Sequence, residues 1–306
     1  MRRLQLHLFG PFEATLNEVV VTEFEALSAR ALLAYLAVER EHHHSRASLA
    51  TLLWGEDAGA TALTSLRSSL RRVRSALGDE DGSPFVLTVQ DSVQLDPHAD
   101  LWTDVERFEL LLATVATHPH RRVHRCPWCI ARLREAVALY RGPFLAGLRV
   151  NSIVFEEWQR LHQERYHRQA MQALFVVADY HYRRGDFAQA EQYARRQLAL
   201  EGWNEEAHQQ LIRILVASGQ RSAALAQYGR CRAILAAELD VSPMPATTAL
   251  YEAIRQGAPV TDDGSGAADL GRAPALLHNL PRPSTEFVDR IAELDWLLQR
   301  LVNPAH

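Results

Sequence analysis

Two stretches of this chain repeat each other at a distance of 34 residues: YRRGDFAQAEQYARRQL at 182–198 and VASGQRSAALAQYGRCR at 216–232. Gly185 falls on Gly219 and Ala190 on Ala224. A glycine at a turn, followed at a fixed distance by a small residue where two helices approach, describes one helix–turn–helix unit. Self-similarity at this period is the mark of tetratricopeptide units. Such a unit cannot bury its apolar face alone and needs neighbours. Apolar periodicity predicts helices over 130–141, 152–183 and 246–256 to supply them. This is an interaction architecture, with no catalytic residues assigned. The adjacent acids Glu156-Glu157 and Glu205-Glu206 point apart on their helices and read as solvated faces.

The first 108 or so residues read differently, and a length of 306 residues suits about two domains. LQLHLF (4–9) and EVVVTEF (18–24) read as short strands, with Gly10-Pro11 as a turn. SARALLAYLAVE (28–39) and SRASLATLLW (45–54) read as helices, with Ser28 and Ser45 as N-caps. The histidines at 42–44 read as a turn between them. Residues 61–77 make a third helix. FVLTVQDSVQLD (85–96) reads as a hairpin turning at Gln90-Asp91-Ser92. Three helices followed by a hairpin is the order of a winged helix-turn-helix.

The third helix is unusual in charge. The chain has a net charge of −4, and residues 1–108 hold 10 arginines against 16 acids. Yet no acid occurs from Ala58 to Gly78, and SLRSSLRRVRSAL (65–77) carries four arginines. Leu63, Leu66, Leu70, Val73 and Leu77 form an apolar stripe for the core. Arg67, Arg71 and Arg74 form a second stripe, with Arg72 nearby and Thr64, Ser68 and Ser75 beyond it. Guanidinium groups reach phosphates and guanine edges, and short hydroxyl side chains let a helix sit deep in the major groove. These seven residues are the candidate contacts to double-stranded DNA. The chain has no lysine, so all 33 of its basic residues are arginine. That excludes a lysine Schiff base and a P-loop lysine within these residues.

ALLAYLAVE, HSRASLATLLWGE, ALTSLRSSLRRVRSALG and the hairpin together resemble the DNA-binding domain of the SARP family of bacterial transcriptional activators. LREAVALYRGPFLAGL (133–148), FEEWQRLHQERYHRQAMQAL (155–174), GQRSAALAQYGRCRAILAAELDVSP (219–243) and TTALYEAIRQG (247–257) resemble the bacterial transcriptional activator domain that accompanies it. The chain departs from the family at Ser28, where lysine is usual, and at Asp240, where glycine is usual. The resemblance implies a fold that is mainly α with a small β component. A response-regulator type winged helix over 1–106 would be followed by a tetratricopeptide-like domain over 107–257. It also implies an activator that binds direct repeats near promoters, as a homodimer on DNA that engages RNA polymerase, and that is not an enzyme. A second reading is an adaptor module of a signalling ATPase, whose winged helix contacts protein.

THPHRRVHRCPWCIARL (117–133) holds three histidines and two cysteines. Cys126 and Cys129 with His118 and His120 would complete a tetrahedral zinc site, with His124 in reserve. A similar run in members of the resembled family favours that first pair of histidines. Such a zinc would be structural, and no other cofactor is required. A reduced thiol pair and a thioredoxin-like pair are the alternatives, the second lacking any βαβ context. Cys231 reads as a buried small residue. Residues 258–279 read as a linker, and LPRPSTEFVDRIAELDWLLQRL (280–301) within the 280–306 tail resembles the entry segment of a STAND-type ATPase domain, with Asp289 where glycine is expected. No apolar run reaches the roughly 18 residues of a membrane span and no signal-peptide core is present, so a cytoplasmic location without a membrane partner is expected.

Overall fold

The chain opens with three short antiparallel strands: β1 (Arg3–His7), β2 (Glu13–Leu16) and β3 (Val19–Val20). Asn17 and Glu18 join β2 to β3 with φ of 50° and 68°, the left-handed pair that a type I′ hairpin turn requires. That turn pairs Leu16 with Val19 and Thr15 with Val20. The strand expected over 18–24 is therefore only two residues long, and β2 precedes it unannounced. Described here by a computed structural model are residues 2–22, 24, 26–55, 59–79, 85–119 and 122–259. The expected STAND-like tail, and the linker beyond Pro259, lie outside the described residues.

Three helices follow: α1 (Leu27–Val38), α2 (Arg46–Trp54) and α3 (Gly59–Leu77). Ser45 caps α2 as expected, its Oγ accepting from the Ser48 amide at 3.0 Å. Ser28 does not cap α1. It lies inside the helix, and its hydroxyl meets that of Ser69 on α3 at 3.0 Å. The wing is β5 (Val86–Val89) and β6 (Ser92–Leu95), with β4 (His44–Ser45) added to give the order β4-β6-β5. Gln90 takes a φ of 53° at the wing tip. The chain then returns as β7 (Asp100–Thr103), which pairs in parallel with β1 and completes the sheet β3-β2-β1-β7. The N-terminal part is thus a winged helix with a four-stranded sheet whose first three strands precede it and whose fourth follows the wing.

The rest is helical: α4 (Asp104–Thr117), α5 (Pro127–Leu139), α6 (Ile153–Arg183), α7 (Phe187–Leu200), α8 (Glu205–Ala217), α9 (Arg221–Leu239) and α10 (Pro245–Gln256). Successive helices pack on one another from α4 to α10. The 34-residue repeat is visible in backbone detail. Gly185 and Gly219 have φ of 74° and 80°, and after each the chain reaches back five residues, Asp186 N–H to His181 O at 2.9 Å and Gln220 N–H to Leu215 O at 2.8 Å. This is a glycine helix stop followed at once by the next helix. Ala190 and Ala224 are fully buried where the helices cross. Glu205 departs from the solvated face expected of it: its carboxylate accepts from the Met244 amide at 2.7 Å and from the Thr247 hydroxyl, so it caps α10 from another helix.

The two halves share a core only in part: α7 to α10 bury a cluster of their own around Ala190, Leu211, Ile212, Leu215, Ala224 and Ile254. One apolar cluster runs from Leu4 to Ala170 and includes α1, α2, α3, the wing, α4, α5 and the start of α6. The backbone joins them as well: Gly10 N–H donates to Pro143 O at 3.0 Å, Leu145 N–H to Leu8 O at 2.7 Å and Ala146 N–H to Gly10 O at 2.8 Å. Phe9 sits between the halves, its ring 5.2 Å from Phe108, 5.1 Å from Tyr140 and 5.4 Å from Tyr166. Such edge-on and tilted aromatic pairs contribute about 0.5–1.5 kcal/mol each beyond area burial. The division expected near residues 106–107 falls inside the first turn of α4.

Candidate nucleic-acid interface and a thiol–imidazole cluster

α3 lies against the core through Ala62, Leu66, Ser69, Leu70, Val73, Ala76 and Leu77. The stripe starts at Ala62 and not at Leu63, which is 36% exposed. At about 100° per residue, Leu63 falls just past the edge of the buried arc that Leu66, Leu70 and Val73 define. On the outer side Thr64, Arg67, Ser68, Arg71, Arg72 and Ser75 are all exposed. No ion pair engages Arg67, Arg71 or Arg72 among the described residues. Arg74 departs from the expected stripe. It is half-buried, and its guanidinium donates to the Thr88 hydroxyl at 2.6 Å, bracing α3 against the wing.

The nearest described acid after α3 is held away from its arginine face. Asp79 has a fully buried side chain 3.8 Å from the Arg2 guanidinium. Its two carboxylate oxygens accept from the Phe85 and Val86 amides at 2.9 and 3.1 Å, closing the loop that leads into the wing. On the other flank Asp91, at the wing tip, lies 4.0 Å from Arg46 at the start of α2. The six exposed positions therefore present three guanidinium groups, with no ion pair among the described residues, and three hydroxyls on one helix. Asp79 and Thr88 were not singled out in the sequence. The only cue to Asp79 is an acid directly after the glycine that ends α3.

The second cluster joins α4 to α5. His118 is the C-cap of α4, Cys126 the N-cap of α5, and Cys129 stands one turn further on. A short 3-10 turn, Val123–Arg125, lies in the connection. The His118 Nδ1 is 3.4 Å from Cys129 Sγ and 3.9 Å from Cys126 Sγ, and all three ligand atoms lie within 4.8 Å of one another. His120, the expected fourth ligand, lies outside the described residues. His124 is not part of the cluster; its surroundings include Asp179 and Arg183 of α6. Burial there lowers its pKa. Cys129 is fully buried, and burial pushes its thiol up to about 12. Cys231 is buried on α9, as expected.

A winged helix sharing part of its core with a stack of antiparallel helix pairs defines a two-part class of protein. Within that class the chain belongs to the bacterial transcriptional activator domain family, whose profile matches residues 103–255. This bears out the resemblance drawn from the sequence motifs. Regulatory protein AfsR of Streptomyces coelicolor is 28% identical over 272 residues, covering 86% of this chain and 25% of that protein. AfsR of Streptomyces griseus is 25% identical over 256 residues, covering 82% of this chain and 24% of its own length. The chain thus spans about a quarter of each of these relatives. A solved structure of Mycobacterium tuberculosis EmbR in complex with a low-affinity phosphopeptide superposes with a TM-score of 0.65 at 24% identity, covering 87% of this chain and 68% of that one. At that identity the likeness is one of fold. No helix among the described residues is long and apolar enough to cross a membrane.

Proposed function

We propose that this chain is a DNA-binding transcriptional activator that lays α3 in the major groove of double-stranded DNA. Arg67, Arg71 and Arg72 contact phosphates and guanine edges, Thr64, Ser68 and Ser75 allow close approach, and the wing follows the flanking backbone. The reading is carried by the exposed, acid-free arginine and hydroxyl face of α3 in a chain whose first 108 residues, α3 included, sum to −6 (10 arginines less 16 acids). In the finer form of the proposal, two protomers occupy direct repeats near a promoter. The helical repeats hold them together and meet RNA polymerase. Family membership and the regulatory names of the AfsR relatives support the regulator role.

The test is binding to the upstream region of the protein's own gene neighbourhood, followed by anisotropy across a salt series. Arg67→Ala or Arg71→Ala weakens binding by about 1–3 kcal/mol where the residue reads a base. Where it neutralises a phosphate, the logarithmic salt slope falls by about one unit. Moving two half-sites apart by half a helical turn lowers the affinity of the full chain. Parental binding and salt slope in both arginine variants overturn the α3 assignment. Equal affinity at every spacing overturns the paired-protomer form.

A further inference from the structure

We propose that His118, Cys126 and Cys129 bind one structural Zn²⁺ that clamps the end of α4 to the start of α5. This stands apart from the DNA-binding reading and does not depend on it. The first argument is geometric. A tetrahedral Zn²⁺ with bonds of about 2.3 Å to sulfur and about 2.0–2.1 Å to nitrogen sets nitrogen and sulfur roughly 3.6 Å apart. The two nitrogen–sulfur separations here, 3.4 and 3.9 Å, bracket that value. With all three ligand atoms within 4.8 Å of one another, they fill three corners of the tetrahedron and leave the fourth to a further donor.

The second argument is chemical. Two thiolates and an imidazole form a soft to borderline donor set, which selects Zn²⁺ over the hard cations that prefer carboxylate and carbonyl oxygen. Binding releases the two thiol protons to solvent. The third argument is that the set is held in place. Trp128 stacks on His118 with ring centroids 4.3 Å apart and planes 19° apart, and the Arg132 guanidinium lies 3.7 Å over the Trp128 ring. This layered support fixes the imidazole plane, as the surroundings of metal ligands commonly do. Cys126 and Cys129 sit on the rigid first turn of α5, behind Pro127 at its first position.

The clamp has a structural consequence. α4 and α5 are adjacent members of the stack and supply Phe108, Leu111, Ala136 and Tyr140 to or beside the core shared with the winged helix. A metal at the connecting turn of this helix pair therefore holds both helices in the positions from which they reach that core.

The test uses the full chain, purified reduced and without chelator. Elemental analysis should find about one zinc per chain. Modifying the thiols in the presence of a chromophoric chelator should release it, and stripping the metal should lower the melting temperature. Replacing zinc with Co²⁺ should give a thiolate-to-cobalt charge-transfer band. That band should be lost in Cys126→Ser, weakened and shifted in His118→Ala, and kept in Cys231→Ala, which reports on a cysteine elsewhere in the fold. The cobalt spectrum of the parent chain keeps the proposal testable even if a variant fails to fold. Absence of both zinc and the cobalt band overturns the proposal. So does a reduced protein that takes up no metal while Cys126 and Cys129 form a disulfide under mild oxidation. An unchanged melting temperature after complete metal removal overturns the clamp.

Discussion

Asp104→Ala should destabilise both halves of the protein at once. Asp104 is the first residue of α4 and only 1% exposed, and its carboxylate oxygens accept from the Leu8 and Phe9 amides at 2.8 and 3.0 Å. Leu8 and Phe9 are fully buried, so alanine leaves two backbone donors without a partner or water. Each such orphan costs about 1–3 kcal/mol, or about 2–6 kcal/mol together. Part of this is offset, because alanine also removes a carboxylate from a site that disfavours its charge. Burial raises the Asp104 pKa, and the Leu8 and Phe9 amides, His7 and Arg141 only partly counter it. A net loss of about 2–4 kcal/mol follows, or roughly 5–15 °C in Tm for a chain of this size. Urea denaturation followed by far-ultraviolet circular dichroism and by tryptophan fluorescence is the assay. The two probes should give one shared transition, shifted in the variant. Asp104→Asn, which keeps one acceptor oxygen, should fall between parent and alanine. The raised pKa sets the pH behaviour. Protonated Asp104 is favoured in the folded state, so this contribution to stability is full below the ordinary carboxyl value. It is lost as pH rises through the folded one. Alanine should remove that acid-range dependence. An Asp104→Ala protein within about 1 kcal/mol of the parent, or one whose halves melt separately, refutes the account of the join.

Two further outcomes are expected. Asp240 ends α9 in a left-handed conformation with φ of 53°, so Asp240→Gly should raise stability by up to about 1 kcal/mol while Asp240→Val lowers it; the reverse order in thermal melts would exclude strain at this cap. His208 is buried on α8 with Nδ1 2.6 Å from the Gln227 amide nitrogen and Nε2 2.9 Å from the Gly202 carbonyl, a pairing only the neutral ring satisfies. Burial chiefly, with Arg230, lowers its pKa, so its contribution is full above the ordinary histidine value and is lost as pH falls through the folded one. Melting of the parent should decline below about pH 6.5, and His208→Gln should flatten that decline; equal slopes in both would remove His208 as the cause.

The features legible in the sequence are those set by local chemistry. The repeat is readable because glycine in the left-handed region and alanine at a helix crossing leave fixed spacings, and both hairpins close as that spacing requires. α6 and α10 fall within a residue of their expected limits, because long apolar periodicity and proline or glycine stops act within one helix. Ser45 reads correctly as a cap for the same reason: its partner is three residues away. The exposed face of α3, Arg67, Arg71 and Arg72 included, follows from helical geometry alone.

What the sequence does not carry is the choice of partner across the fold. Ser28 resembles a cap but meets Ser69, which is 41 residues away. Arg74 belongs by spacing to the arginine stripe, yet the wing lies close enough to take its guanidinium on Thr88. Glu205 looks like a solvated acid until α10 arrives to be capped. Asp104 is an ordinary first-turn acid in sequence, and only the β1 exit, 95 and 96 residues away, makes it the join between the halves. The sequence by itself determined most of the helices, the wing hairpin and the charged face of α3, but not α4 or the strands β2, β4 and β7, because hydrogen bonds and periodicities within a helix or turn involve neighbours in the chain while short strands take their partners from afar. The tertiary structure alone decided that α4, α5 and the start of α6 share a core with the winged helix and that His118 meets Cys126 and Cys129, because buried donors, aromatic rings and ligand atoms are satisfied by whatever the packing brings near, and no local pattern records that distance.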